Sequence, residues 1–98
     1  MKHFIVEITY AVPLDQIAQV RPQHREFLQV GFDRGLLLMS GPLNPPTGGR
    51  VVARAESLEE IQAFFAQDPY NLKGMTTYGF VEFDPVKRQP FLEAWITE

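Results

Sequence analysis

Cysteine is absent from this chain of 98 residues. That excludes disulfides, thiolate catalysis and cysteine-ligated metal, and it leaves the redox compartment open. A basic surplus is also missing. Nine Lys and Arg stand against twelve Asp and Glu, for a net charge of −3, so no electrostatic footprint for nucleic acid exists. No apolar run approaches the length that spans a bilayer. Near the N-terminus, Glu7 interrupts the apolar stretch before it could serve as a secretion signal. A cytoplasmic protein, bound to neither membrane nor nucleic acid, is the expectation. Histidine occurs only as His3 and His24. Neither belongs to an HxxxH spacing or a carboxylate cluster, so no metal site is expected. Gly48-Gly49 lacks the spacing of a phosphate-binding loop.

What is present suits one modest core, and a single domain over 1–98 is expected, with 85–98 as a C-terminal tail. Phe4 to Tyr10 reads as a strand, rich in Ile and Val and closed by Pro13. Leu14 to Val20 reads as a short helical turn or loop, and Pro22 suits the first position of a longer helix that ends near Gly35. Leu36 to Met39 opens a second strand that stops at Gly41-Pro42. The Asn44 to Gly49 stretch is a loop, and Arg50 to Glu56 alternates as a third strand, hairpinned to the second. Ser57-Leu58-Glu59-Glu60 is a capping box for a helix that buries Leu58, Ile61, Phe64 and Phe65. Asp68 to Gly74 is a helical turn, and Met75 to Phe83 a fourth strand. The order β-α-β-β-α-β is that of an α+β, ferredoxin-like subunit with an antiparallel sheet. Both helices on one face leave the other uncovered, and a second copy is its simplest cover, giving a homodimer or higher homo-oligomer.

His24 is the feature that asks for an explanation. His24, Phe27, Leu28 and Gly31 follow the i, i+3, i+4, i+7 spacing of a buried helical stripe. An ionisable ring is thereby turned inward, as a satisfied core histidine or as an acid–base group. Placed in the first turn after Pro22, it would lean towards the neutral form under the helix dipole. Asp68 before Pro69 has the form of a helix N-cap, but a carboxylate has a second oxygen, which could orient an imidazole. Tyr70 reads as packing or as a pocket wall. Ser40 and Gly41 read as a turn, or as a place where a ligand approaches the main chain. Arg50, Arg54, Lys87 and Arg88 read as solvated charges, one of which an anionic substrate could use.

Arg21-Pro22-Gln23-His24, Gly35 to Pro42, Ser57 to Glu60, and Asp68-Pro69-Tyr70 with Gly74 together resemble the YciI-like (YCII-related) proteins. The resemblance runs in order from about Phe4 to Phe83. It implies a ferredoxin-like subunit in a dimeric α/β barrel similar to muconolactone isomerase. It also implies a pocket with a His–Asp pair, here His24 and Asp68. Relatives of known activity isomerise, or remove HCl from, lactone-type or chlorinated aromatic breakdown products.

The expectation is therefore a small cofactor-free enzyme. His24 and Asp68 would be catalytic, with Ser40, Gly41 and Tyr70 binding a small organic molecule by isomerase or lyase chemistry. The alternative is a dimeric module that binds a small ligand without turning it over. A heme- or quinone-handling barrel has nothing beyond the fold in its favour. The tail departs from the family pattern at Pro85 to Pro90. Phe91, Leu92, Trp95 and Ile96 are too apolar to stay in water, so Phe91 to Ile96 is expected to dock as a short strand or strap. The partner subunit is favoured over the parent as its seat.

Overall fold

The computed structural model describes residues 1–98. Its sheet is built from β1 (Lys2–Tyr10), β2 (Leu37–Pro42), β3 (Gly48–Ala55) and β4 (Thr76–Phe83). The helices are α1 (Leu14–Asp33), α2 (Leu58–Ala66), the short α3 (Pro69–Leu72) and α4 (Glu93–Thr97). All pairings are antiparallel, in the spatial order β2-β3-β1-β4. This is the α+β, ferredoxin-like arrangement expected from the element order.

Period-two alternation decides which sheet face is buried. Phe4, Val6 and Ile8 of β1 stand beside Val51 and Ala53 of β3 and Tyr78 and Phe80 of β4, all on one face. There they meet Leu28 of α1 and Ile61 and Phe65 of α2 in a single apolar cluster. Full burial of each large member is worth about 1.5–3 kcal/mol, so this face specifies the register. Ser57 caps α2 as its spacing implies, its hydroxyl accepting from the Glu60 N–H at 3.1 Å. The Glu60 carboxylate, however, accepts from the N–H of Glu56 at 3.4 Å.

Helix α1 differs from the sequence expectation. It does not start at Pro22; it begins at Leu14 and runs unbroken through the proline to Asp33. An interior proline removes a hydrogen bond and costs about 3 kcal/mol. The apolar stripe spans that cost, because Ile17 and Leu28, on either side of Pro22, are both buried while the proline itself is exposed. The helix end is as expected. Gly35 follows it with φ +73°, a left-handed conformation that glycine adopts without strain. Gly31 lets α1 sit close to its neighbours, since a β-carbon there would lie 2.7 Å from side-chain atoms of Leu37 and Phe64.

The tail is helical rather than a strand. A 3₁₀ turn at Pro90–Leu92 leads into α4, which docks on the parent chain's own sheet, on the face away from α1 and α2. Pro90 opens the turn at a position where its missing N–H costs nothing. Arg54, read from the sequence as a solvated charge, is buried beneath this tail. Its guanidinium donates to the carbonyls of Gly35 and Trp95, both at 2.7 Å, and lies 4.8 Å from the centre of the Trp95 ring. His3 joins it, with its ring 5.5 Å from that of Trp95 and its Nε2 donating to the Ile96 carbonyl at 3.0 Å. Phe91 remains exposed.

Removing residues 88–98 strips the cover from Arg54 and His3. A loss of about 1–2 kcal/mol in cation–π and hydrogen-bond contacts lowers Tm by roughly 4–8 °C per kcal/mol in a domain of this size. Calorimetry on the truncated chain checks this, and an unchanged Tm would show that the docked tail contributes nothing.

Candidate functional site

Asp68 sits between α2 and α3 with no solvent exposure, and its side chain caps α3 as the Asp-Pro sequence implies. Its Oδ1 accepts from the Tyr70 N–H at 3.0 Å. That leaves lone pairs on both oxygens, and two further donors fill them. The Nδ1 of His24 lies 2.9 Å from Oδ1 and 3.0 Å from Oδ2, and the Tyr78 hydroxyl donates to Oδ2 at 2.7 Å. Thr76 in turn donates to the Tyr78 hydroxyl at 3.0 Å. The result is a relay, Thr76 to Tyr78 to Asp68, with the imidazole closing it from the other side.

This arrangement fixes the tautomer of His24. A carboxylate can only accept, so Nδ1 carries the hydrogen and Nε2 is the nitrogen left with a free lone pair. The ring is held flat against Tyr70, centroids 4.1 Å apart and planes 16° from parallel. His24 lies in the middle of the twenty-residue α1, not in its first turn, so the helix-dipole influence expected from the sequence does not reach it. Its orientation is set by Asp68 and Tyr70 instead.

A cavity of about 400 Å³ opens beside the ring, between α1 and the ends of β1, β2 and β3. Ser40, Gly41 and Tyr70 line it together with His24, so the structure brings all the sequence-selected residues except Asp68 to one cavity. Asp68 stays behind His24, in hydrogen-bond contact with it but outside the lining. Ile8, Leu28 and Val51 give the floor an apolar character.

Burial pushes the Tyr78 phenol far up, with the nearby Asp68 charge adding to the effect and the Thr76 hydrogen bond opposing it. Burial likewise raises Tyr70, helped by the neighbouring Tyr10 phenol and opposed by the Arg21 charge. Both hydroxyls thus stay protonated at neutral pH, and that of Tyr78 donates to Asp68.

Several functional contacts escaped the sequence. Thr76 and Tyr78 share the inner face of β4 at a spacing of two, and that spacing was the available signal. Arg21 and Arg25 also line the cavity. Arg21, three residues before His24, shares its helix face, while Arg25, the next residue along, reaches the cavity from about 100° round the helix. No three metal-ligating side chains converge anywhere in the chain, and no helix is long and apolar enough to cross a membrane.

Comparison with known proteins agrees with the fold. A family model described as the YCII-related domain matches residues 1–84. The proteins named YciI from Escherichia coli O6:H1 (strain CFT073) and Shigella flexneri are each 39% identical, over 76% of this chain and 85% of theirs. A similar solved structure is the 5-chloro-2-hydroxyhydroquinone dehydrochlorinase TftG from Burkholderia phenoliruptrix AC1100, in complex with 2,5-dihydroxybenzoquinone. It is 18% identical, with a TM-score of 0.67, covering 89% of this chain and 92% of that one.

Replacing Asp68 by Ala leaves the Tyr70 N–H, the Tyr78 hydroxyl and His24 Nδ1 without their common acceptor. Removing one partner of a buried network costs about 3–5 kcal/mol. Asp68→Asn retains one acceptor oxygen and should cost clearly less. Urea unfolding of the two variants checks the order, and equal losses would show that neither the retained oxygen nor the retained shape contributes to stability.

Proposed function

This chain is a member of the YCII-related family, and on that footing we propose that it is a small-molecule enzyme whose acid–base group is His24. The observation that carries the reading is the orientation of the imidazole. Its Nδ1 is tied to the buried Asp68 carboxylate and its Nε2 is left free on a ring that lines the cavity. In this reading Nε2 removes a proton from a bound organic molecule, and Asp68 stabilises the imidazolium that forms. The electron pair left behind forms a new double bond. Either chloride departs from the neighbouring carbon, or the imidazolium returns the proton at a different carbon. The first outcome is a dehydrochlorination and the second an isomerisation. Neither asks for a redox partner, in keeping with cofactor-free chemistry. Ser40, Gly41 and Tyr70 hold the substrate, with the Tyr70 ring also fixing the plane of the base.

The activity of TftG on 5-chloro-2-hydroxyhydroquinone makes chlorinated hydroxyquinols the first compounds to assay, with unsaturated lactones beside them. Turnover of one of these should fall by about 10²–10⁴-fold in His24→Ala. The rate should also follow the ionisation of a single base on the acid side. Binding without turnover in the wild-type protein would place the chain among non-catalytic ligand-binding modules instead.

We further propose that the working unit is a homodimer. Met39, Val81 and Phe83 stay exposed on the sheet face opposite α1 and α2 even with the tail docked. Covering them with a second copy requires an interface on the order of 1,500 Å². Sedimentation at micromolar concentration should give twice the chain mass, and a stable monomer would refute the assembly.

A further inference from the structure

The cavity beside His24 is basic, although the chain as a whole carries a net charge of −3. Arg21, Arg25 and Arg50 line it, and no Asp or Glu does. Arg50 is already engaged. One of its nitrogens donates to the Gly49 carbonyl at 2.9 Å and another lies 3.6 Å from the Glu7 carboxylate. Arg21 and Arg25 differ in that neither is paired with a carboxylate of the chain. They stand four residues apart on α1, a spacing at which like charges repel. They also flank the base, three residues before and one residue after His24. The remaining polar groups on the wall are neutral: the Ser40, Tyr10 and Tyr70 hydroxyls and the free Nε2 of His24. A wall with two guanidinium groups and no carboxylate lacks one thing, an acceptor that carries negative charge.

We propose that Arg21 and Arg25 form the subsite for a planar oxyanion on the substrate, either a carboxylate or a ring enolate. This rests on the reading of the cavity as the place where a small molecule reacts, and it names the class of that molecule. Guanidinium forks match the paired oxygens of such groups and hold their plane as well as their charge. With the oxyanion anchored on either side of residue 24 along the helix, the adjacent carbon is presented to Nε2. The same positive charges draw electron density from that carbon and ease the departure of its proton. Arg50 contributes less, because Glu7 answers part of its charge. A neutral molecule of the same shape would leave both guanidinium groups without an anionic partner, so it is discriminated against.

Binding of three probes by calorimetry and by NMR tests the subsite on the full chain: benzoate for a carboxylate, tropolonate for a ring enolate, and benzamide as the neutral analogue. At least one anion should bind saturably, perturbing the amides of Arg21 to Leu28 and of Ser40 and Gly41, and benzamide should bind at least tenfold more weakly. Arg21→Gln and Arg25→Gln should each weaken the anion by about fivefold to tenfold, Arg50→Gln by less, and the distant Arg88→Gln not at all. Added salt should weaken binding by screening the partly exposed groups. Whichever anion binds tighter identifies the oxyanion. Equal binding of benzamide, unchanged affinity in both Arg21→Gln and Arg25→Gln, or no saturable binding of either anion at tens of millimolar would each overturn the proposal. His24→Ala separates this from the acid–base reading. In that variant anion binding should survive while turnover is lost; turnover that persists would count against the base and leave the subsite standing.

Discussion

A single carboxylate, that of Asp68, holds the candidate site together, and its burial makes the rest necessary. An acceptor with no exposure must find its donors within the protein, because the desolvation cost of leaving it unpaired exceeds what one contact returns. It collects them from three separate elements: the backbone at the start of α3, Tyr78 on β4 and His24 on α1. Each donor therefore ties one element to a common point. The helix cap that starts α3, an unremarkable local device, becomes the fixed centre from which the imidazole is aimed. In such a network the bonds strengthen one another, and Thr76 extends it by a further step.

The two ends of the sheet are put to different uses. Where β1 ends and β3 begins, next to the middle of α1, the chain leaves a cavity with an apolar floor and a basic wall. Where β1 begins and β3 ends, on the opposite face, it buries a charge instead, with Arg54 enclosed by the Gly35 carbonyl, the Trp95 ring and the Glu98 carboxylate. Arginine serves in both places for the same reason. Its planar, delocalised charge can be desolvated when stacked and hydrogen-bonded, and it can meet a planar anion face to face.

Much of the fold was legible because alternation and capping are local signals. Val51, Ala53 and Ala55 announce their buried face from their spacing alone, and Ser57 announces the start of α2. His24 could be singled out because the buried stripe of a helix rarely admits an ionisable ring. The start of α1 was not legible, since Pro22 carries the strongest local signal for a helix beginning. Only the tertiary burial of Ile17 reveals that the helix passes through it. Tyr78 could not be paired with Asp68 from sequence, because they lie on different elements and meet only once β4 takes its place beside β1. Nor could the conformation of the tail be read. Its apolar residues demand a partner surface, but whether they meet it as strand or helix depends on where Arg54 and His3 offer hydrogen bonds to carbonyls.

The docking of Trp95 on Arg54 and His3 has an optical consequence. It is the only tryptophan in the chain, and it lies on the face of the sheet away from the cavity. The intrinsic fluorescence of this protein is therefore a signal of the tail and not of the site. Its emission maximum will follow the separation of α4 from the sheet, a local opening that can precede global unfolding, whereas a ligand entering beside His24 leaves the indole's surroundings untouched. One chromophore thus reads the attachment of the C-terminal segment separately from the occupancy of the pocket, with no label added.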